Sequence, residues 1–118
     1  MKSKQEIERT LSGFSGTDNY WKHGALKLTD GVNYLRNAAE AFWLIDIVDS
    51  LRFVKNAARE EFLSIKLVKN KTGSGAKFIA DDGNGNIVYT QNIPYTDIPI
   101  SELKMFLVDN VLMLANEY

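Results

Sequence analysis

Cysteine is missing from this chain, which removes disulfide staples, thiolate nucleophiles and zinc–sulfur sites together. Histidine is nearly missing as well. His23 stands alone, so no multi-histidine metal site can form within one chain, and only carboxylate-rich calcium or magnesium binding stays open. An excess of either charge is also lacking. The formal net charge is −1 over 118 residues, which gives no bulk drive toward nucleic acid or an anionic membrane. Nowhere do about 18 apolar residues run together, so no transmembrane helix is expected. Met1-Lys2-Ser3-Lys4-Gln5-Glu6 leads into no apolar run of the kind a signal peptide needs. A cytoplasmic location is the expectation, and Asn70-Lys71-Thr72, which spells a glycosylation acceptor, is read as coincidence.

What is present suits one domain, residues 1–118, of a size that can bury a modest core without staples. Ser3 with Glu6 forms a capping-box pattern, Ile7, Leu11 and Phe14 follow at helical spacing, and Gly13 suits a left-handed stop. A polar-aromatic stretch from Ser15 to Gly24 reads as irregular. Leu26-Lys27-Leu28 reads as a short strand, and Thr29-Asp30-Gly31 as the cap of a second helix. From Val32 to Phe53 the period stays helical. Leu35, Ala38, Ala39, Phe42, Ile45 and Val48 share one face that Trp43, Ile47 and Leu51 widen, which marks a central core element. Asn37 admits a break into two consecutive helices.

Past Arg59-Glu60-Glu61 the period drops to two. Leu63, Ile65 and Leu67 alternate with Ser64 and Lys66, as in a half-buried strand. Ala76–Ala80 and Ile87–Ile93 flank Asp81-Asp82-Gly83-Asn84-Gly85-Asn86, whose glycines and asparagines tolerate the positive φ of a tight hairpin turn. The last segment is ambiguous. Leu103, Phe106, Leu107, Asn110, Val111 and Leu114 fit a helix, yet Met105–Val108 and Val111–Leu114 around Asp109-Asn110 fit a second hairpin. The expected class is α+β, with N-terminal helices on one face of an antiparallel β-meander built from about Glu60 to Leu114.

Several phrases belong together: Gly16-Thr17-x-x-Tyr20, Leu28-Thr29-Asp30-Gly31-Val32-x-Tyr34-Leu35, Trp43-Leu44-Ile45-Asp46-Ile47 with Ser50, Asp82-Gly83-Asn84-Gly85, Gln91-x-Ile93-Pro94-Tyr95-Thr96-Asp97, and Leu114-x-x-Glu117-Tyr118. In that order they resemble an uncharacterised bacterial family of unknown function, met in bacterial genomes and on plasmids and phages. The likeness runs from about Gly16 to Tyr118. It implies glycine where Asn110 stands, which favours the hairpin ending. It implies no activity, cofactor or partner.

Three functional readings follow from the residues. His23 with Ser15 or Ser50 and with Asp30 or Asp46 could assemble a nucleophile–base–orienter set, although Gly13-Phe14-Ser15-Gly16 misses the nucleophile-elbow spacing. Asp46 draws most interest. A carboxylate in so apolar a helix needs partners, either a loop amide that ties helix to sheet or a role in a polar pocket with Asp30 and Ser50. A small enzyme would use His23 with Asp46, Asp30 or Asp97. Second, Lys66, Lys69, Lys71 and Lys77, beside Phe78, could form a hairpin facing nucleic acid, against the commoner use of edge lysines to prevent aggregation. Third, among Tyr20, Trp21, Trp43, Tyr89, Tyr95 and Tyr118, those in polar loops suit contacts with a protein. Tyr20, Trp21 and His23, together with Tyr95, Thr96 and Asp97 in a loop stiffened by Pro94 and Pro99, are the candidates.

Asp82, Asn84 and Asn86 evoke a calcium loop, but Ile87 and Ile93 stand where it needs glycine and glutamate. Val88 likewise breaks a dinucleotide fingerprint. No metal and no cofactor is expected. The favoured expectation is a small cytosolic, non-enzymatic protein-binding or regulatory protein, acting on a foreign partner or as a homodimer. The mobile-element resemblance extends this to an inhibitor of a host or defence protein. Nucleic acid is the weaker partner and a membrane is not expected.

Overall fold

The computed structural model describes residues 2–118. Helix α1 (Lys4–Ser12) starts where Ser3 accepts the Glu6 amide, as its pattern predicts. Gly13, however, ends it in a right-handed conformation at φ −82°, because the chain turns with ordinary helical dihedrals. The Ser15–Gly24 stretch is only partly irregular. Trp21–His23 is strand β1, antiparallel to β2 (Leu26–Leu28). Thr29 then caps α2 (Asp30–Ala38) by accepting the Val32 amide.

The long apolar helix divides. α2 stops at Ala38, Glu40 takes a left-handed φ of 50°, and α3 runs from Phe42 to Ser50. Asn37 lies inside α2, its side chain donating back to the Asn33 carbonyl, so the break falls later than that residue suggests. The break also rotates the apolar face. Leu44, Ile45 and Val48 are buried, but Phe42, assigned to the core by periodicity, is 47% exposed. A short 3₁₀ turn (Leu51–Phe53) and α4 (Lys55–Ala58) complete the helical layer.

Strands β3 (Phe62–Lys69), β4 (Ala76–Asp81) and β5 (Ile87–Ile93) form the expected meander. The C-terminal segment is a hairpin, β6 (Glu102–Val108) and β7 (Val111–Leu114). Asp109 and Asn110, at φ 51° and 65°, have the paired positive φ that a two-residue hairpin turn requires. The hairpin lies against the free side of β3, and β7 runs parallel to β2. The seven-stranded sheet is therefore ordered β1-β2-β7-β6-β3-β4-β5.

The pleat sorts most residues by face. Leu63, Ile65 and Leu67 of β3, Phe78 and Ala80 of β4, Leu103 and Met105 of β6 and Leu112 and Leu114 of β7 are buried in one core with Ile7, Leu35 and Leu44 from the helices. Burying a large aliphatic side chain stabilises by roughly 1.5–3 kcal/mol, so this helix-facing side carries the fold. The opposite side of the sheet carries Lys66, Lys77, Lys104 and Phe106 and has no helix over it. Among the described residues no helix is long and apolar enough to cross a membrane.

Candidate functional site

Three of the resemblance phrases, those of residues 16–20, 28–35 and 114–118, converge on the start of α2. Thr17 Oγ1 accepts the Asp30 amide at 2.8 Å and donates to the Asn19 carbonyl at 2.6 Å, folding the Gly16–Tyr20 loop back onto the helix. Asp30 then receives the Trp21 indole N–H and the Asp18 amide, each at 2.9 Å. Those two donors, the indole first, hold its carboxyl below the ordinary value of 3.8. From the other side Glu117 accepts from the Thr29 hydroxyl at 2.6 Å, the Leu114 amide at 3.0 Å and the Gly31 amide at 3.2 Å. A Cβ on Gly31 would strike the Glu117 carboxylate and Leu114, so a larger residue there would have to displace those two side chains. An anion at a helix N-terminus also meets the positive end of the helix dipole.

Residues 5–118 match the model of a family of unknown function. The chain belongs to the DUF6876 family. No curated protein and no solved structure matches it. In this DUF6876 member the resemblance phrases from Gly16 to Tyr34 and from Leu114 to Glu117 thus describe one hydrogen-bonded junction between loop, α2 and C-terminus.

Trp21 stands on that junction. Its indole is fixed by Asp30, yet the residue is 42% exposed. It walls a groove of about 560 Å³ along α2 with Asp30, Asn33, Tyr34 and Asn37, and a second of about 460 Å³ with Tyr20 and Lys22. The Tyr34 hydroxyl is buried without a hydrogen-bond partner. Tyr20 is 60% exposed beside them.

His23 does reach Asp46, at 2.7 Å from Nε2 to Oδ1, and Arg36 Nη1 lies 3.0 Å from Nδ1. A guanidinium only donates, so Nδ1 accepts and the proton sits on Nε2, pointing at Asp46. Both ring nitrogens are thereby occupied. The imidazole is nearly covered while the Asp46 side chain is 70% exposed, and neither lines the grooves around Trp21. Asp46, expected as a buried polar residue, is instead turned outward by α3. Ser50 does not join it, since its hydroxyl donates to the Ile47 carbonyl at 2.6 Å. The carboxylate that takes a loop amide and ties helix to sheet is Asp49, which accepts from Ala25 at 3.0 Å. Gly24, at φ 59°, leaves room for it. Periodicity gives no sign of this, because nothing periodic marks the β1–β2 turn that supplies the amide.

Tyr95, Thr96 and Asp97 lie past β5, at the edge of the sheet opposite β1, so they share no surface with Trp21. Thr96 is buried, donates its amide to the Ser74 carbonyl at 2.7 Å and accepts from Ile98 at 3.1 Å. Tyr95 is 69% exposed and Asp97 is exposed.

The four lysines also divide. Lys66 and Lys77 project from the helix-free face, whereas Lys69 falls in step with Leu67 on the other side, its Nζ donating to the Ile98 carbonyl at 3.0 Å. Lys71 sits in the β3–β4 loop. In the hairpin turn, Asp82 accepts the Asn84 and Asn86 amides and the Asn86 side chain. The Asn86 side chain, first, and the Asn84 amide lower its pKa. Among the described residues, no three carboxylates or histidines converge as a metal-binding group.

Proposed function

We propose that this DUF6876 member is a non-enzymatic, cytosolic protein-binding module that docks its partner at the Trp21 corner. One observation carries the reading: a half-exposed indole held rigid by a hydrogen bond to Asp30 at 2.9 Å. Binding energy concentrates in aromatic anchors, and an anchor already fixed in place loses little conformational entropy on docking. The groove beside it offers Asn33, Asn37 and Asp30 for orientation and the Tyr34 ring for contact. The step to an inhibitor of a host or defence protein rests on the mobile-element resemblance alone.

The test immobilises the wild type, Trp21→Ala and Tyr95→Ala, each checked for folding, and compares what host lysate leaves on them. A retained protein is then titrated in purified form. Truncating a central aromatic anchor should weaken it by more than about tenfold, and the Tyr95 variant should match wild type. Equal retention by Trp21→Ala, or no retention by the wild type and no self-association in sedimentation equilibrium, would sink the proposal.

A further inference from the structure

The helix-free face of the sheet has a composition that its solvent exposure alone does not explain. Phe62, Phe106 and Tyr118 form a contiguous aromatic cluster there, with ring centroids 5.2 Å (Phe62–Phe106), 5.7 Å (Phe62–Tyr118) and 5.0 Å (Phe106–Tyr118) apart. Tyr118 is 72% exposed. Beside the cluster, Lys66 of β3 and Lys104 of β6 are directly opposite one another across neighbouring strands. Like charges so placed repel. Lys104 leans its Nζ over the Phe106 ring, 5.4 Å from the centroid. The arrangement recurs at the far edge, where Lys22 and Lys27 are opposite partners between β1 and β2, with Lys77 on β4 at the other side. Against these stand Asp81, which accepts the Gly83 amide at 2.8 Å, and Glu102. In a chain of net charge −1, this concentration of lysine belongs to the face and not to the whole.

We propose that this face binds a single-stranded nucleic acid, with a base stacked on Tyr118 where it overhangs Phe106 and Phe62 and phosphates set against Lys66 and Lys104. An exposed tyrosine backed by two half-buried rings and flanked by cations suits that ligand because every base has a π-face and every linkage a negative charge. The groove between them, about 360 Å³ and floored by Ser64, has room for a flat ring. A duplex fits poorly, since the flat face presents no helix or ribbon to enter a groove. A protein partner is disfavoured because interface cores are poor in lysine. The Lys66–Lys104–Tyr118 patch shares no residue with the grooves around Trp21, and either reading can fail without the other.

The test is fluorescence anisotropy of the full chain with labelled oligo(dT) and oligo(U) of about twelve nucleotides, with a duplex as control, over a salt series. Saturable binding to a single strand is expected, its log–log salt slope about −0.7 per phosphate engaged. Tyr118→Ala should weaken it about tenfold without changing the slope. The double variant Lys66→Gln/Lys104→Gln should flatten the slope by about 1.4. The preferred sugar identifies whether the strand is RNA or DNA. Tyr118 and Lys104 are exposed, and circular dichroism confirms that each variant is folded, so loss of binding cannot be loss of structure. No saturable binding in either arm at ~50 mM salt overturns the proposal. So does binding that all variants retain, equal binding of duplex, or a protein captured through Tyr118 in the absence of oligonucleotide binding.

Discussion

At the scale of residues, two carboxylates one helical turn apart reverse the roles their sequence context suggests. Asp46 looks buried and is 70% exposed, sharing one hydrogen bond with His23. Asp49 looks like a solvent residue, yet its side chain is only 17% exposed and holds the Ala25 amide. An intramolecular hydrogen bond contributes about 0.5–1.5 kcal/mol net, more where its carboxylate is sheltered and less where water competes for it. Asp46→Ala should therefore lower urea stability by less than about 1 kcal/mol, and Asp49→Ala by about 1–1.5 kcal/mol. The reverse order would mean that the His23–Asp46–Arg36 cluster holds the helices together. Asp30 yields a pH prediction. Its folded pKa is depressed below 3.8 by the Trp21 indole and the Asp18 amide, so its stabilising effect is fully present above that value and is lost as pH falls through the folded pKa. The stability gap between wild type and Asp30→Asn should be constant from neutral pH to about pH 5 and close below 3.8. A gap that persisted in acid would show that the carboxylate's charge is not what the indole recognises. Of these pairings only His23 with Asp46 was legible in the chain. Thr17, Trp21 and Asp30 could be singled out one by one, but their meeting depends on a loop folding back over a helix start, and no periodicity encodes that.

Elements were legible where a local signal was unopposed. The period of two from Leu63 to Leu67 and the Asp-Gly-Asn-Gly turn both became what they spelled. The C-terminus was not decidable, because Leu103, Phe106, Leu107, Asn110, Val111 and Leu114 satisfy a helical period while Leu103, Met105 and Leu107 satisfy an alternating one. The decision is tertiary. As a strand, β6 pairs with β3 from Phe62↔Val108 to Val68↔Glu102 and lets β7 reach β2. A helix would leave the Phe62–Val68 edge unpaired, with an apolar strand open to aggregation. The turn that permits this puts Asp109 and Asn110 at φ 51° and 65°. Glycine adopts such angles without a Cβ clash, and asparagine does so better than most residues. Asn110→Gly should therefore be neutral or raise stability by less than about 1 kcal/mol, and Asn110→Val should lower it by about 1–2 kcal/mol in thermal melts. A valine variant as stable as wild type would mean the hairpin does not depend on that turn.

The whole molecule is two-sided, and the sides answer to different demands. One face of the sheet is buried under helices with apolar residues in register, which is what folding requires. The other places Lys66 directly opposite Lys104, which folding does not require, beside three rings that pack on one another. The alternation of β3 showed that Lys66 would point outward, but its opposition to Lys104 became visible only once β6 was known to be a strand beside β3. A local choice that works against stability is the mark of a surface shaped by something else. Lys104→Glu separates the two demands. It replaces a like-charge cross-strand pair with an opposite one, so it should raise stability by about 0.2–1 kcal/mol at low salt, an increment that shrinks as salt is added. If the face holds phosphates, the same substitution should abolish oligonucleotide binding, so that stability and binding move in opposite directions in one variant. Urea melts and anisotropy on the same preparation read both. Loss of stability would show that the lysine pair is already neutralised within the chain. A stabilised variant that still bound oligonucleotide would place any nucleic-acid contact elsewhere.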